Sequence, residues 1–190
     1  MSLHRIHRSV LLVLLSLSAI TLSPQSYAEN TTYLGLDVTG ITLDIGNTSF
    51  SPTTMQARLG LTILPDITPA ISLESHVGFG VTDDTQTIGG SEVTLKLATY
   101  LGFYVRGDFN LGQSASLYLL LGAASAQLSG PFGSVSSLPN DDTESGYSYG
   151  VGASYRLPWD MKVYVEYTNF VDANSFSVSG VGLGVTRSID

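Results

Sequence analysis

From about residue 31 onward, large apolar side chains recur at every second position, in stretches of roughly ten residues separated by turn-forming residues. A period of two belongs to the β-strand, whose successive side chains point to opposite faces, and not to the 3.6-residue period of an α-helix. Eight such stretches can be marked. The first, about Thr32 to Thr39, puts Leu34, Leu36 and Val38 on one face. The second, Thr54 to Leu64, alternates Met55, Ala57, Leu59, Leu61 and Ile63 with Gln56, Arg58, Gly60 and Thr62. The third sets Ile71, Leu73, Val77, Phe79 and Val81 against Ser72, Glu74, His76, Gly78 and Gly80. In the fourth, Val93, Leu95, Leu97, Leu101, Phe103 and Val105 oppose Thr94, Lys96, Ala98, Tyr100, Gly102, Tyr104 and Arg106. The fifth, Ser116 to Leu128, is expected to turn Leu117, Leu119 and Leu121 outward and Tyr118, Gly122 and Ala124 inward. The sixth alternates Tyr147, Tyr149, Val151, Ala153 and Tyr155 with Ser148, Gly150, Gly152, Ser154 and Arg156. The seventh and eighth carry Val163, Val165, Tyr167 and then Val181, Leu183, Val185 on the apolar face.

The connections alternate in character. Residues 40–53, 82–91, 129–145 and 171–175 are mostly polar and often long, whereas 65–69, 107–113 and 157–161 are short. Long loops at one end and tight turns at the other are the mark of a membrane-spanning barrel. Alternation alone fits a soluble barrel equally well, with the apolar face turned inward. The polar face separates the two cases. It consists mainly of Gly, Ser, Ala and Thr with isolated charges of both signs, which suits a crowded interior better than a water-facing surface. Placed in water, the Leu, Val, Ile and Phe face would form an apolar patch far larger than the few hundred Å² that monomers tolerate. Charged residues are only 13% of the chain, in keeping with an outer wall that meets lipid.

The mid-strand charges share the inward parity: Arg58, Glu74, Lys96, Arg106, Arg156 and Glu166. Facing hydrocarbon, each would cost several kcal/mol at roughly the midplane; facing one another, they can pair. An interior network centred on Arg58, Glu74, Lys96 and Glu166 is therefore expected, with a structural role in filling the lumen and a gated ion path as the functional alternative. Eight strands leave an interior just filled by side chains, which argues against a permanent wide pore. Phe109, Tyr155 and Trp159 group near the short turns, and Phe79, Tyr147 and Phe170 near the long loops, the arrangement of two interfacial aromatic girdles.

The N-terminus has the form of an export leader. His4, Arg5, His7 and Arg8 make a basic segment, Val10 to Leu22 an apolar one, and Ser26-Tyr27-Ala28 a small-residue cleavage site. The expected division is a signal peptide at 1–28 and a single barrel domain at 29–190. Removing Arg5 and Arg8 takes the net charge from −8 to −10, which argues against nucleic acid as a partner.

Other chemistry is thinly represented. There is no cysteine, and His76 is the one histidine beyond the leader, so neither a metal site nor a cofactor is expected. A His-Ser-acid site could be drawn from His76, Glu74 and Ser72 or Ser75, but Ser75 has the opposite parity to His76. Arg106-Gly107-Asp108 spells an integrin-type tripeptide, placed here at a short turn. Asp141, Asp142 and Glu144 are expected to form a solvated acidic loop.

Three stretches carry a family likeness: Tyr33-Leu34-Gly35-Leu36-Asp37, the run from Tyr149 to Pro158, and Val163-Tyr164-Val165-Glu166-Tyr167. With the closing Gly182-Leu183-Gly184-Val185-Thr186-Arg187-Ser188-Ile189, which resembles a C-terminal assembly signal, the chain resembles the small outer-membrane β-barrel family of the OmpA transmembrane domain and OmpX. The resemblance covers nearly all of the chain after the leader. It implies an eight-stranded antiparallel up-and-down transmembrane β-barrel in the bacterial outer membrane, surrounded by outer-membrane lipids and lipopolysaccharide and inserted by the barrel-assembly machinery. The chain ends with the eighth strand, so a peptidoglycan-binding domain is not expected. The expected role is non-enzymatic, in envelope integrity or surface interaction through the long loops, with an unidentified surface ligand. A narrow porin-like channel or small-ligand transport barrel is the alternative, and a lipid A-modifying enzyme a third.

Overall fold

The computed structural model describes residues 31–45, 48–88, 91–129, 143–172 and 177–189. The leader and the Ser26-Tyr27-Ala28 cleavage site lie outside them, as do Asp141 and Asp142. Ten strands follow one another: β1 (Thr32–Ile45), β2 (Thr48–Phe50), β3 (Thr53–Leu64), β4 (Ala70–Gly80), β5 (Asp84–Ile88), β6 (Ser91–Leu111), β7 (Ala115–Ser129), β8 (Thr143–Leu157), β9 (Met161–Asp172) and β10 (Ser177–Ser188). Eight of them form the ring β1-β3-β4-β6-β7-β8-β9-β10, each antiparallel to the next, and β1 pairs with β10 from Tyr33↔Ser188 to Asp44↔Ser177 to close it. Closure leaves no free edge among the eight and satisfies the backbone internally, which is what a bilayer demands of a sheet.

The extra two strands rewrite two of the predicted loops. β2 folds back on the end of β1, Leu43 opposite Phe50, so most of 40–53 is hairpin. β5 pairs with the start of β6, Asp84↔Leu95 to Ile88↔Ser91, and projects the 21-residue β6 beyond the ring. The two hairpins are tied together: the Ser51 amide donates to Asp84 Oδ2 at 2.8 Å and the Thr53 amide to Thr82 Oγ1 at 2.8 Å. At the other end the turn expected at 107–113 shortens to Gly112–Ser114, with Gly112 in the left-handed region at φ 84°. Arg106-Gly107-Asp108 consequently lies within β6, not in a turn.

Burial follows the period of two. Leu36, Leu73, Val105, Leu121, Val165 and Leu183 stand exposed on the outer wall, while Arg58, Glu74, Arg106 and Glu166 are buried. The apolar residues are thus on the outside of the closed ring and the charges inside it, the inverse of a water-soluble barrel. The small residues of the inner face have a specific use. Tyr33, Tyr118 and Tyr164 stand directly opposite Gly60, Gly152 and Gly184 on the adjoining strands. A Cβ at any of these glycines would fall within 2.5 Å of the facing ring. Each glycine is the space that a lumenal tyrosine occupies.

Alternation fails at three register shifts, and the one between Thr62 and Leu64 leaves the adjacent Ile63 and Leu64 both exposed at the end of β3. The β6–β7 register shifts between Leu97 and Thr99, leaving Ala98 without a partner. The extra residue reverses parity, so Leu97, expected outward, is buried at 2% exposure. The β9–β10 register shifts where Val171↔Val178 gives way to Asn169↔Ser179. Phe170, assigned above to the outer girdle, is buried inside with its ring edge-on to Tyr100 at 4.9 Å. It keeps the inward parity of Glu166 and Thr168, and the bulge brings Val171 inward beside it.

Candidate functional site

Among the described residues, the lumen is where charged side chains of several strands converge. Its centre is Arg58 on β3. The guanidinium donates from Nη2 to Asp37 Oδ2 at 2.9 Å and from Nη1 to Glu166 Oε2 at 3.0 Å. Glu74 Oε2 lies 3.6 Å from Nη1. Arg106 on β6 forms the second hub: Nη1 donates to Glu74 Oε1 at 3.1 Å, and Nε and Nη2 each donate to Asp108 at 2.8 Å. Glu74 therefore bridges the two arginines, and also takes His76 Nε2 at 2.7 Å.

Two arginines face four carboxylates, and tyrosine hydroxyls donate to three of the oxygens the arginines already hold. Tyr33 donates to Glu74 at 2.5 Å, Tyr118 to Glu166 at 2.9 Å and Tyr164 to Asp37 at 2.7 Å. The same rings take the cations on their faces, Arg58 over Tyr164 at 4.2 Å and Arg106 over Tyr118 at 3.6 Å. A guanidinium so enclosed has both its charge and its flat face matched. The arrangement closes the middle of the lumen.

Toward the long-loop end a different filling takes over. The inward parity of β1 continues from Thr39 into Ile41 and Leu43, and these join the same apolar cluster as Phe50, Tyr100, Phe170 and Val178. Tyr100 and Tyr104 are hydrogen-bonded through their hydroxyls, and Tyr104 continues to Ser148 at 2.8 Å. The lumen is thus filled by an ionic layer and, beyond it, by an apolar one. Toward the short turns it opens into a vestibule of about 430 Å³, whose lining includes Arg106, Asp108, Arg156 and Lys162.

Of the six predicted interior charges, the structure brings Arg58, Glu74, Arg106 and Glu166 into one network. Arg156 does not join it. It sits next to the last residue of β8, where the ring opens, and its side chain is exposed in the vestibule. Lys96 has its backbone in β6 opposite Ser129, and its side chain lies outside the described residues. Asp37 was missed, although its parity with Gly35 and Thr39 marks it as inward. Phe79, Phe109, Tyr147 and Tyr155 stand exposed on the strands toward the two ends and Trp159 exposed in a short turn, without Phe170. Ser72 Oγ is hydrogen-bonded to Thr62 Oγ1 at 3.0 Å, and His76 Nε2 is taken by Glu74, so neither Ser72 nor Ser75 is hydrogen-bonded to His76.

The chain matches the model of the outer membrane protein β-barrel domain over residues 11–188, and it belongs to that family. Family and fold together place it in the bacterial outer membrane. Among solved structures it is similar to Ail of Yersinia pestis, the attachment invasion locus protein, in complex with the heparin analogue sucrose octasulfate (12% identity, 85% of this chain and 100% of that one, TM-score 0.60). It is also similar to Neisserial surface protein A (14% identity, 83% and 97%, TM-score 0.60). A third is the N-terminal β-barrel domain of Pseudomonas aeruginosa OprF (12% identity, 82% and 97%, TM-score 0.50). No curated protein sequence matches the chain.

Proposed function

We propose that the protein is a non-enzymatic, non-conducting barrel that contributes to envelope integrity or surface interaction through its long-loop end. The observation that carries this reading is the double filling of the lumen, by the Arg58–Asp37–Glu166 layer and by the apolar layer beyond it. A solute that entered the vestibule would have to break buried ion pairs and then cross a desolvated segment. The hairpins β1–β2 and β5–β6, by contrast, build a projecting surface tied by Ser51 and Asp84. On this reading the long loops face outward from the cell and the short turns face the periplasm. Outer-membrane lipids and lipopolysaccharide surround the wall, the barrel-assembly machinery handles insertion, and the exposed end aromatics sit at the two interfaces.

Planar-bilayer recording of the refolded protein tests it. The expected trace has no steady unitary steps. Regular steps whose size changes in Glu166→Gln would overturn the non-conducting reading in favour of a narrow channel. Mass analysis of lipid A from cells with and without the protein is expected to show identical acyl chains, and a reproducible difference would make it an enzyme.

A further inference from the structure

Arg156 and Lys162 occupy directly opposed positions on β8 and β9, one register step from the turn at residues 158–160. Like charges set opposite each other across a sheet repel. Neither makes an ion pair within the described residues, in contrast to Arg106 a short way inside, which holds Glu74 and Asp108. Both cations line two cavities at once. One is the vestibule of about 430 Å³, and the other, of about 200 Å³, is walled by Gln113, Ser114, Ser116 and Ser154. Two unpaired cations thus converge on a recess edged with hydroxyl and amide groups, of which Ser116 donates to Asn110 Oδ1 at 2.9 Å. The carboxylates that share the vestibule make no ion pair with either cation: Asp108 is held by Arg106 and attracts Lys162 only from beyond ion-pair distance, and Asp160 pairs with neither.

We infer that the short-turn mouth is a binding site for a phosphate-type oxyanion, held between Arg156 and Lys162 and hydrogen-bonded by the surrounding serines. The anion relieves the repulsion of the opposed pair, and charge-assisted hydrogen bonds to a guanidinium and an ammonium supply the affinity. The vestibule is of the size that takes small ligands. The source of the phosphate is either a soluble compound or the headgroup of an anionic lipid in the adjoining leaflet.

The chain contains one tryptophan, Trp159, in the turn between the two cations, and it reports on the site directly. The full chain, refolded in zwitterionic micelles, is titrated with inorganic pyrophosphate at constant ionic strength. In a second arm it is placed in phosphatidylcholine vesicles with or without phosphatidylglycerol. A saturable change in Trp159 emission with pyrophosphate is the expected result and identifies a soluble phosphate as sufficient. A change confined to phosphatidylglycerol vesicles supports the site with the lipid headgroup as its source. Arg156→Gln and Lys162→Gln should each weaken binding about tenfold, and Arg156→Lys should restore most of it. Both residues stand at the open rim, so the variants are expected to keep the heat-modifiable gel migration of a folded barrel. No saturable response in either arm, or unchanged binding in the folded Arg156→Gln/Lys162→Gln double variant, overturns the assignment.

Discussion

Arg58 and Glu166 meet inside the ring across 108 residues of sequence, Nη1 to Oε2 at 3.0 Å. β3 and β9 are not neighbours; β1 and β10 lie between them. The pair therefore spans the lumen and does not merely stitch adjacent strands. Asp37 joins it from β1 and Glu74 from β4, so one guanidinium holds three walls of the barrel to the fourth.

Removing that hub leaves carboxylates buried without their cation. Arg58→Met is expected to cost about 3–5 kcal/mol, the usual penalty for breaking one side of a buried ion pair. Urea unfolding in lipid vesicles measures it. Adding Glu166→Gln to Arg58→Met should recover part of the loss, because one stranded charge is gone and the two sites are coupled. A double variant as unstable as the sum of the singles would show that the two residues do not act together.

The glycine–tyrosine pairs make a contrasting forecast. At Gly152 an added Cβ would lie 2.2 Å from the Tyr118 ring, which is itself held by Arg106 on its face and Glu166 at its hydroxyl. Gly152→Ala should therefore cost roughly 1–3 kcal/mol through overpacking. At Gly40 nothing lies within 4 Å, and Gly40→Ala should stay within about 0.5 kcal/mol of the parent. Equal stability of the two variants, measured by the same urea titration, would contradict the account of the small inner face.

The link between the projecting hairpins depends on pH. The Ser51 amide, donating to the Asp84 carboxylate, holds that carboxyl below its ordinary value. A carboxyl lowered in the folded state contributes stability above its unfolded value of about 3.9, and that contribution is lost as pH falls through the folded value. The protection of the Ser51 amide against hydrogen exchange, taken relative to its intrinsic rate at the same pH, should be high at neutral pH and fall below about pH 4. Asp84→Ala should show low protection at every pH.

Export makes a simpler forecast. The protein isolated from outer membranes should begin at Glu29, with a mass lower by the first 28 residues. Intact-mass spectrometry checks it, and a full-length mass in the membrane would point to an uncleaved leader.

The ring itself was legible in the sequence because a closed barrel in lipid writes one rule, period two with apolar residues outward, into every strand. Leu117, Leu119 and Leu121 against Tyr118 follow that rule. What the rule hides is any residue that breaks it. Ala98 and Phe170 are bulge positions, and the bulges turned Leu97 and Val171 inward. Arg156 kept its inward parity but sits past the point where the ring is closed around it, so parity alone could not place it in the network. Asp37 obeyed the rule, sharing the inward parity of Gly35 and Thr39. The apolar layer of Ile41, Leu43 and Phe50 was hidden in what looked like a polar loop.

Sidedness is tested most directly by a nitroxide on the wall. The chain has no cysteine, so single labels at Leu121→Cys and Val165→Cys are unambiguous, with Gln113→Cys in a short turn as the aqueous reference. In bilayers the first two should collide readily with oxygen and rarely with a water-soluble nickel chelate, and the third should do the opposite. Strong nickel broadening at Leu121 and Val165 in the folded, reconstituted protein would mean that this face meets water, and the membrane barrel would have to be given up.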